Sequence, residues 1–227
     1  MQRKYYEAYD DRYRQIHSQN LQWFDDEPTA IVRQTITKYE IASNHSLLEL
    51  GCGEGRDAFA LLQAGYNLLA TDISAAAIDF CREKRPEYAS HFRVLDCVTG
   101  KLERKFDFIY AVAVLHMLVS DEDRNAFYKF IRNYLAPNGV ALVCTMGDGK
   151  MERQTDIQTA FELQTRTHEK TGREVQIAST SCRIVNDLTF EEEIKRNGLG
   201  ILEKGMTTAA PDFPMLIYAV MREYNKP

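Results

Sequence analysis

The sequence predicts an α/β fold in which helices cover both faces of a doubly wound, mainly parallel sheet. Short apolar runs alternate with helical segments between residues 46 and 145. A glycine-rich turn joins the first apolar run to the helix that follows it. Acidic residues end the next two runs, where the carboxyl ends of parallel strands meet one edge of a sheet. These three observations predict a ligand crevice at that edge.

The composition is typical of one globular domain. The chain has 227 residues, of which 44% are hydrophobic and 27% charged, with a formal net charge of −5. No stretch approaches the roughly 20 apolar residues of a membrane helix. The first residues lack the pattern of a targeting segment, so we expect a cytoplasmic protein with no membrane contact. The negative charge disfavours binding to nucleic acid, and we expect a monomer or homodimer.

Metal binding is not expected. The five cysteines contain no C-x-x-C pair, and the histidines show no ligand spacing with them. We therefore predict reduced thiols and no metal site.

One domain is predicted over residues 1–227, in four segments. A helical segment carries Tyr9 and Tyr13 four residues apart and is followed by Trp23. These aromatic side chains form either a lid over the crevice or a stripe packed on the sheet. The segments are a helical lid (1–44), a nucleotide-binding core (45–146), a cap insertion (147–182), and a closing helix with two strands (183–227).

Elements are assigned in order along the core. Five short strands are predicted, beginning at Ser46, Leu68, Phe92, Phe106 and Val140. Helices are predicted after the first, second and fourth of them. The polar cap insertion is predicted to hold a helix from Thr155 to Lys170, ended by Gly172. Thr189, with Glu192 three residues later, predicts a capping box for the closing helix.

The glycine turn is the most informative motif. Glycines 51, 53 and 55 allow a sharp strand-to-helix turn and a close approach of ligand to backbone. A turn without a ligand is the alternative for the glycines alone. Asp72 and Asp96, which end the second and third strands, favour a nucleotide site instead. A dinucleotide fingerprint would require glycine at position 56, where the chain has arginine.

An acid followed by Gly-x-Gly-x-Gly, as in Glu49 to Gly55, resembles the first motif of class I S-adenosylmethionine-dependent methyltransferases. The segments ATDIS, VLDCV, FDFIYAVAVLHML and LAPNGVALV are similar to later motifs of this family. Only Asn138 departs from the last motif, and asparagine tolerates the left-handed backbone that glycine provides. The resemblance covers about residues 45 to 222 and implies a seven-stranded sheet in the order 3-2-1-4-5-7-6, with strand 7 antiparallel.

The resemblance also implies a donor site. Glu49 would hold the methionine ammonium group, Asp72 the ribose, and Asp96 with Cys97 the adenine edge. The other residues implied in binding S-adenosyl-L-methionine, and its product S-adenosyl-L-homocysteine, are Gly51, Cys52, Gly53, Gly55, Ile73 and Val114.

The acceptor is less well defined by the sequence. His116, just past the fourth strand, is the candidate general base, although a packing role is the alternative. The aromatic segment and the polar insertion favour methylation of a small molecule by in-line displacement. A methyltransferase acting on RNA or protein, and a non-catalytic protein that binds S-adenosylmethionine, are the alternatives.

Overall fold

The computed structural model describes residues 3–23, 26–168, 170–209 and 213–224. Its six α-helices in these residues are α1 (Ala8–His17), α2 (Ala30–Lys38), α3 (Arg56–Gln63), α4 (Ala75–Lys84), α5 (Asp121–Tyr134) and α6 (Asp187–Arg196). Short 3-10 helices lie at Tyr5–Glu7, Pro86–His91, Leu115–Met117 and Ile157–Thr159. No helix in the described part of the chain is long and apolar enough to cross a membrane.

A seven-stranded sheet forms the centre of the molecule. Its strands are β1 (Ser46–Leu50), β2 (Asn67–Asp72), β3 (Phe92–Val94), β4 (Phe106–Val112), β5 (Leu135–Met146), β10 (Leu199–Ala209) and β11 (Phe213–Glu223). The strand order is β3-β2-β1-β4-β5-β11-β10, and β11 runs antiparallel to both its neighbours. The predicted fold class and strand order are therefore confirmed.

Alternation along the central strands places apolar side chains on both faces of the sheet. In β1, Leu47 packs on the face covered by α2, α3 and α4, whereas Leu48 packs on the face covered by α5 and α6. Both side chains are fully buried. A strand buried on both faces needs a helix layer on each side, which the connections between the parallel strands supply.

Hydrogen-bonded caps begin three of the helices. Ser74 Oγ accepts from Ala77 N, and Ser120 Oγ accepts from Asp123 N. At α6 the capping residue is Asn186, whose side chain accepts from Thr189 N. The prediction that Thr189 caps this helix is wrong, because Asn186 supplies the acceptor three residues earlier.

The cap insertion consists of short strands rather than the predicted helix from Thr155 to Lys170. β7 (Leu163–Thr167) and β8 (Glu174–Ala178) form an antiparallel hairpin, and β6 (Arg153–Gln154) pairs with β9 (Arg183–Ile184). The hairpin is held by tertiary packing, since Val175 and Ile177 of β8 are buried against Ile16 of α1. The local helix preference of the polar sequence is overridden by this contact.

Candidate active site

A cleft opens where β1, β2 and β4 end, at the carboxyl edge of the sheet. We call it the glycine-turn cleft. The residues that line it are Tyr9, Tyr13, Glu49, Gly51, Cys52, Gly53, Glu54, Arg56, Asp57, Asp72, Ile73, Leu95, Cys97, Val112, Ala113, Val114, Met117 and Phe213. The structure therefore brings most of the predicted donor-site residues together, and Gly55 and Asp96 are the exceptions.

The turn after β1 presents bare backbone to the cleft. Gly51 has a φ of 73° and Gly53 a φ of 51°, both in the left-handed region that favours glycine. A Cβ at Gly51 would lie 2.3 Å from Cγ2 of Val114, so any side chain there would collide with the opposite wall. The amide groups of Gly51 and Cys52 donate to the carbonyl of Thr71 at 2.7 and 2.9 Å, which fixes the turn on β2.

Glu49 is a buried acid whose bonding is incomplete. Its side chain faces the cleft from β1, is 3% exposed, and leaves Oε2 without a hydrogen-bond partner. Burial raises the pKa of Glu49 well above its usual range, and the negative charge of Asp57 acts in the same direction. A cationic group in the cleft would supply the partner that Oε2 lacks and would favour the ionised carboxylate.

Asp72 ends β2 and is held by backbone donors. Its Oδ2 accepts from Gly53 N at 2.9 Å, and its Oδ1 accepts from Ser74 N at 2.8 Å. Burial raises the pKa of Asp72 to about 6, against the lowering effect of these two hydrogen bonds. The carboxyl group is therefore oriented toward the cleft and changes its ionisation close to neutral pH.

Asp96 lies outside the glycine-turn cleft, although its neighbour Cys97 lines it. The Asp96 side chain instead closes its own turn, accepting from Val98 N at 2.8 Å and from Thr99 Oγ1 at 2.6 Å. The hydroxyl of Tyr6 also donates to Oδ2, at 3.3 Å. Gly55 likewise does not face the cleft; a Cβ there would lie 2.6 Å from the ring of Phe59, so this glycine serves helix packing.

The first helix α1 roofs the cleft. Tyr9 and Tyr13, 8% and 5% exposed, line it from above. Two hydrogen bonds hold this helix and the 3-10 turn before it on the core: Asp10 Oδ1 accepts from Oγ of Ser74, the N-cap of α4, at 2.7 Å, and Tyr5 Oη donates to Oδ2 of Asp123, in the first turn of α5, at 2.8 Å. The predicted N-terminal helix thus covers the carboxyl edge of the sheet.

Glu54, inside the glycine motif, makes hydrogen bonds to the N-terminal segment that the sequence did not predict. Its Oε1 lies 2.9 Å from Nε2 of His17 and accepts from Trp23 N at 2.9 Å. The motif allows any residue at this position, so the sequence carries no signal for it. Glu54 connects the wall of the cleft directly to the segment that follows α1.

A second cavity adjoins the cleft, and Trp23 lines this cavity rather than the cleft. We call it the cap cavity; it measures about 360 Å³. It is lined by Tyr9, Arg12, Trp23, His116, Met117, Met146, Arg153, Thr155, Arg166, His168, Ser179, Thr180, Cys182 and Phe213. Tyr9, Met117 and Phe213 line both spaces, so the two are neighbours at these side chains.

His116 faces the cap cavity from the 3-10 turn after β4 and is 4% exposed. Burial lowers the pKa of His116 to about 3, and the charges of Arg124 and Arg12 act in the same direction. Nδ1 is buried without a hydrogen-bond partner. The imidazole is therefore neutral at physiological pH and retains an unused bonding position.

The backbone between the two spaces has an unusual conformation. Ala113, directly after β4, has a φ of 57°, and its amide donates to the carbonyl of Cys144 at 2.9 Å. A left-handed alanine costs conformational energy and has no sequence signal comparable to glycine. It turns the chain so that Val114 faces the glycine turn.

Among the described residues, no group of three or more His, Cys, Asp or Glu side chains is arranged to hold a metal ion.

Comparison with known proteins agrees with this geometry. Residues 48–141 match the family described as a methyltransferase domain. A curated relative, the cypemycin N-terminal methyltransferase of Streptomyces sp, is 27% identical over 117 residues, which are 48% of this chain and 46% of that protein. The chain thus matches about half the length of this relative.

Two solved structures match nearly the whole chain. An S-adenosylmethionine-dependent methyltransferase from Clostridium acetobutylicum is 14% identical with a TM-score of 0.67, covering 97% of this chain and 99% of the other. The 1,6-didemethyltoxoflavin-N1-methyltransferase of Burkholderia thailandensis, solved with its substrate and S-adenosylhomocysteine, is 14% identical with a TM-score of 0.68, covering 99% and 92%.

The fold is that of the class I methyltransferases. The match to the methyltransferase domain family contains the glycine turn, the end of β1, β2, β3, β4 and the start of β5.

Proposed function

We propose that the chain transfers the methyl group of S-adenosylmethionine to a small-molecule acceptor. The observation that carries the proposal is the pairing of the two spaces: the glycine-turn cleft lies beside a cavity of about 360 Å³, within the usual size range of small-molecule sites. The 1,6-didemethyltoxoflavin methyltransferase, similar over nearly the whole chain, acts on a small molecule of this kind.

The residues of the cleft fit the donor. When bound, S-adenosylmethionine supplies an electrophilic methyl group on a positively charged sulfur. Glu49 Oε2, buried and without a partner, is an acceptor suited to the donor's ammonium group. Asp72 is oriented by two backbone amides and can accept from ribose hydroxyls. Gly51 lets the turn approach Val114 more closely than any residue with a Cβ could.

The chain's own part in the reaction is to position the acceptor and exclude water. α1 closes the cleft from above through Tyr9 and Tyr13, and the cap closes the neighbouring cavity. His116, neutral and with an unused nitrogen, can accept a hydrogen bond from an N–H or O–H group of the acceptor. Its low pKa favours this orienting role over the storage of a proton.

The experiment is an acceptor screen with methyl-labelled donor, with His116→Gln as the test of the orienting residue. Label should enter a small amine or phenol, and His116→Gln should lower kcat about tenfold or more while the dissociation constant of S-adenosylhomocysteine stays unchanged. His91→Gln, outside both spaces, is the matched control. Label transfer to none of the acceptors would contradict the proposed activity.

A peptide amine is the second candidate acceptor, favoured by the match to the cypemycin N-terminal methyltransferase. A short peptide with a free N-terminus therefore belongs in the same screen. If the peptide is methylated and the small amines and phenols are not, the small-molecule proposal is replaced.

A further inference from the structure

The cap cavity holds positive charge that no described carboxylate neutralises. Arg12, Arg153 and Arg166 line it, and none of the described residues that line it is acidic. None of these arginines forms an ion pair within the described part of the chain. The whole chain has a formal net charge of −5, so this local charge is opposite in sign to that of the protein.

Two arginines that join elements elsewhere in the described part of the chain are neutralised by carboxylates. Arg124 donates to both oxygens of Glu193, each at 2.7 Å, in a bidentate pair that is almost completely buried. Arg183 pairs with Asp121 at 2.6 Å.

A buried charge without such a carboxylate partner is costly. Arg12 is partly buried, whereas Arg153 and Arg166 are exposed at the wall of the cavity. Arg12, which has no described carboxylate partner, therefore indicates a role for the cavity beyond folding.

Arg12 is fixed in place by neutral groups alone. Its Nη2 donates to the carbonyl oxygens of Ala178 and Ser179 at 3.0 and 2.9 Å and to Oγ1 of Thr180 at 2.7 Å. Burial lowers the pKa of Arg12, and the charge of Arg166 acts in the same direction. These contacts orient the guanidinium group, and no carboxylate among the described residues pairs with its charge.

Aromatic side chains line the cap cavity beside these arginines. The guanidinium carbon of Arg12 lies 5.4 Å from the ring centroid of Trp23 and 5.3 Å from that of Tyr9. Across the same cavity, the rings of His116 and Phe213 lie 5.9 Å apart. Such surfaces favour a ligand with a planar, largely apolar part.

We infer that the acceptor is a small planar molecule with an anionic group, a carboxylate or a phosphate, held by Arg153 and Arg166 of the cap. Guanidinium groups recognise both anions through paired hydrogen bonds. The acceptor's reacting atom then faces the glycine-turn cleft past Tyr9 and Met117, which line both spaces. The inference rests on the proposed methyl transfer for this orientation, but the anion selectivity can be measured without it.

The single tryptophan of the chain makes the cavity directly observable, because Trp23 lines it. Tryptophan fluorescence is recorded while the full chain is titrated with benzoate and phenyl phosphate, and separately with the uncharged analogues benzamide and benzyl alcohol. Each titration is made with and without saturating S-adenosylhomocysteine. Benzoate, phenyl phosphate or both should bind at least about tenfold more tightly than the uncharged probes. The tighter of the two identifies the anionic group.

Substitutions then test the two cap arginines. Arg153→Gln and Arg166→Gln should each weaken the preferred anion about tenfold, leave benzamide unchanged, and leave the dissociation constant of S-adenosylhomocysteine within about twofold. Both side chains are exposed, so little loss of folding stability is expected. Arg173→Gln, an exposed arginine between β7 and β8 that does not line the cavity, is the matched control.

Three results would overturn the inference: benzamide binding as tightly as the anions, Arg173→Gln weakening the anions as much as the cavity variants do, or the cavity variants weakening S-adenosylhomocysteine instead. Failure of the proposed function looks different. A wild-type chain that binds no S-adenosylhomocysteine, yet selects anions through Arg153 and Arg166, would reject the methyl transfer and retain the anionic ligand.

Discussion

At the scale of single residues, burial shifts two acids in the glycine-turn cleft toward the protonated form, and a suitable ligand would favour their ionised form. Glu49 and Asp72 are 3% and 8% exposed, and burial raises the pKa of each. Both would therefore ionise more readily with a ligand that donates hydrogen bonds or carries positive charge. Residues placed for function at a cost in stability are typical of binding sites.

Replacing Glu49 with glutamine separates its effect on donor binding from its effect on the stability of the fold. The amide removes the charge that the donor's ammonium group requires, so Glu49→Gln should weaken S-adenosylhomocysteine about 10- to 100-fold, as expected for a charge-assisted hydrogen bond. Because the buried carboxylate is lost as well, the melting temperature should be equal or higher. Calorimetry and thermal unfolding measure the two quantities.

The control for Glu49→Gln is Glu83→Gln, an exposed acid on α4. Unchanged affinity in Glu49→Gln would show that the buried oxygen does not contact the donor.

Asp72 predicts a pH dependence of donor binding. Its pKa of about 6 means that the carboxyl is largely protonated at pH 5 and ionised above pH 7. Because the ionised form accepts the ribose hydrogen bonds, the affinity for S-adenosylhomocysteine should rise as the pH increases from 5 to 7 and then level off. Calorimetric titration at several pH values measures this.

In Asp72→Asn the affinity should be lower and nearly constant over the same pH range. A wild-type affinity that fell between pH 5 and 7, or a variant with the wild-type pH profile, would rule out Asp72 as the titrating group.

At the scale of elements, α1 and the segment after it cover the glycine-turn cleft and are held there by specific hydrogen bonds. Glu54 bonds both His17 and the amide of Trp23, so Glu54→Ala should loosen this segment without touching the sheet. Acrylamide should quench the fluorescence of Trp23 more strongly, because the side chain becomes more accessible. The dissociation constant of S-adenosylhomocysteine should increase several-fold.

Glu87→Ala, an exposed acid, is the control for this experiment. If acrylamide gained access to Trp23 while donor affinity stayed at the wild-type value, the segment would serve packing and not closure of the cleft. The choice between a lid and a packed aromatic stripe, open in the sequence, is decided by this comparison.

Elements with a strong local pattern were predictable from the sequence. β1 and β4 are buried at nearly every position, and the left-handed backbone predicted at Asn138 is present with a φ of 64°. The cap was predicted wrongly because β7 has mostly exposed polar residues and depends on pairing with β8. The packing of β8 against Ile16 of α1 is a tertiary contact, which leaves little trace in a local sequence pattern.

The candidate site divides in the same way. Asp72 was predictable because the ends of parallel strands face one crevice, whereas Glu49 was predicted from the resemblance of its motif to that of the methyltransferases. Asp96 follows a strand of only three residues, and its side chain turns back to cap its own loop. Arg12 and Arg153 meet only through the placement of α1 against the cap, which no motif encodes.

At the scale of the whole molecule, the carboxyl edge of the sheet is bordered by the segment that matches the family and by the N-terminal and cap segments that lie outside the match. The family match covers residues 48–141, which supply most of the residues that line the glycine-turn cleft. The roof and the cap lie outside that segment and supply most of the cap cavity, including its three arginines. The sequence predicts the donor more clearly than the acceptor because the family motifs lie in the core, whereas the segments that line most of the cap cavity contain no such motif.

Calorimetric titration of the wild-type chain with S-adenosylhomocysteine, and in parallel with NAD, tests the central claim most directly. The glycine turn, Glu49 and Asp72 fit a methyl donor, and the dinucleotide fingerprint lacks its third glycine at Arg56. We predict saturable binding of S-adenosylhomocysteine with one site per chain and no binding of NAD. Binding of NAD without binding of S-adenosylhomocysteine would contradict the claim.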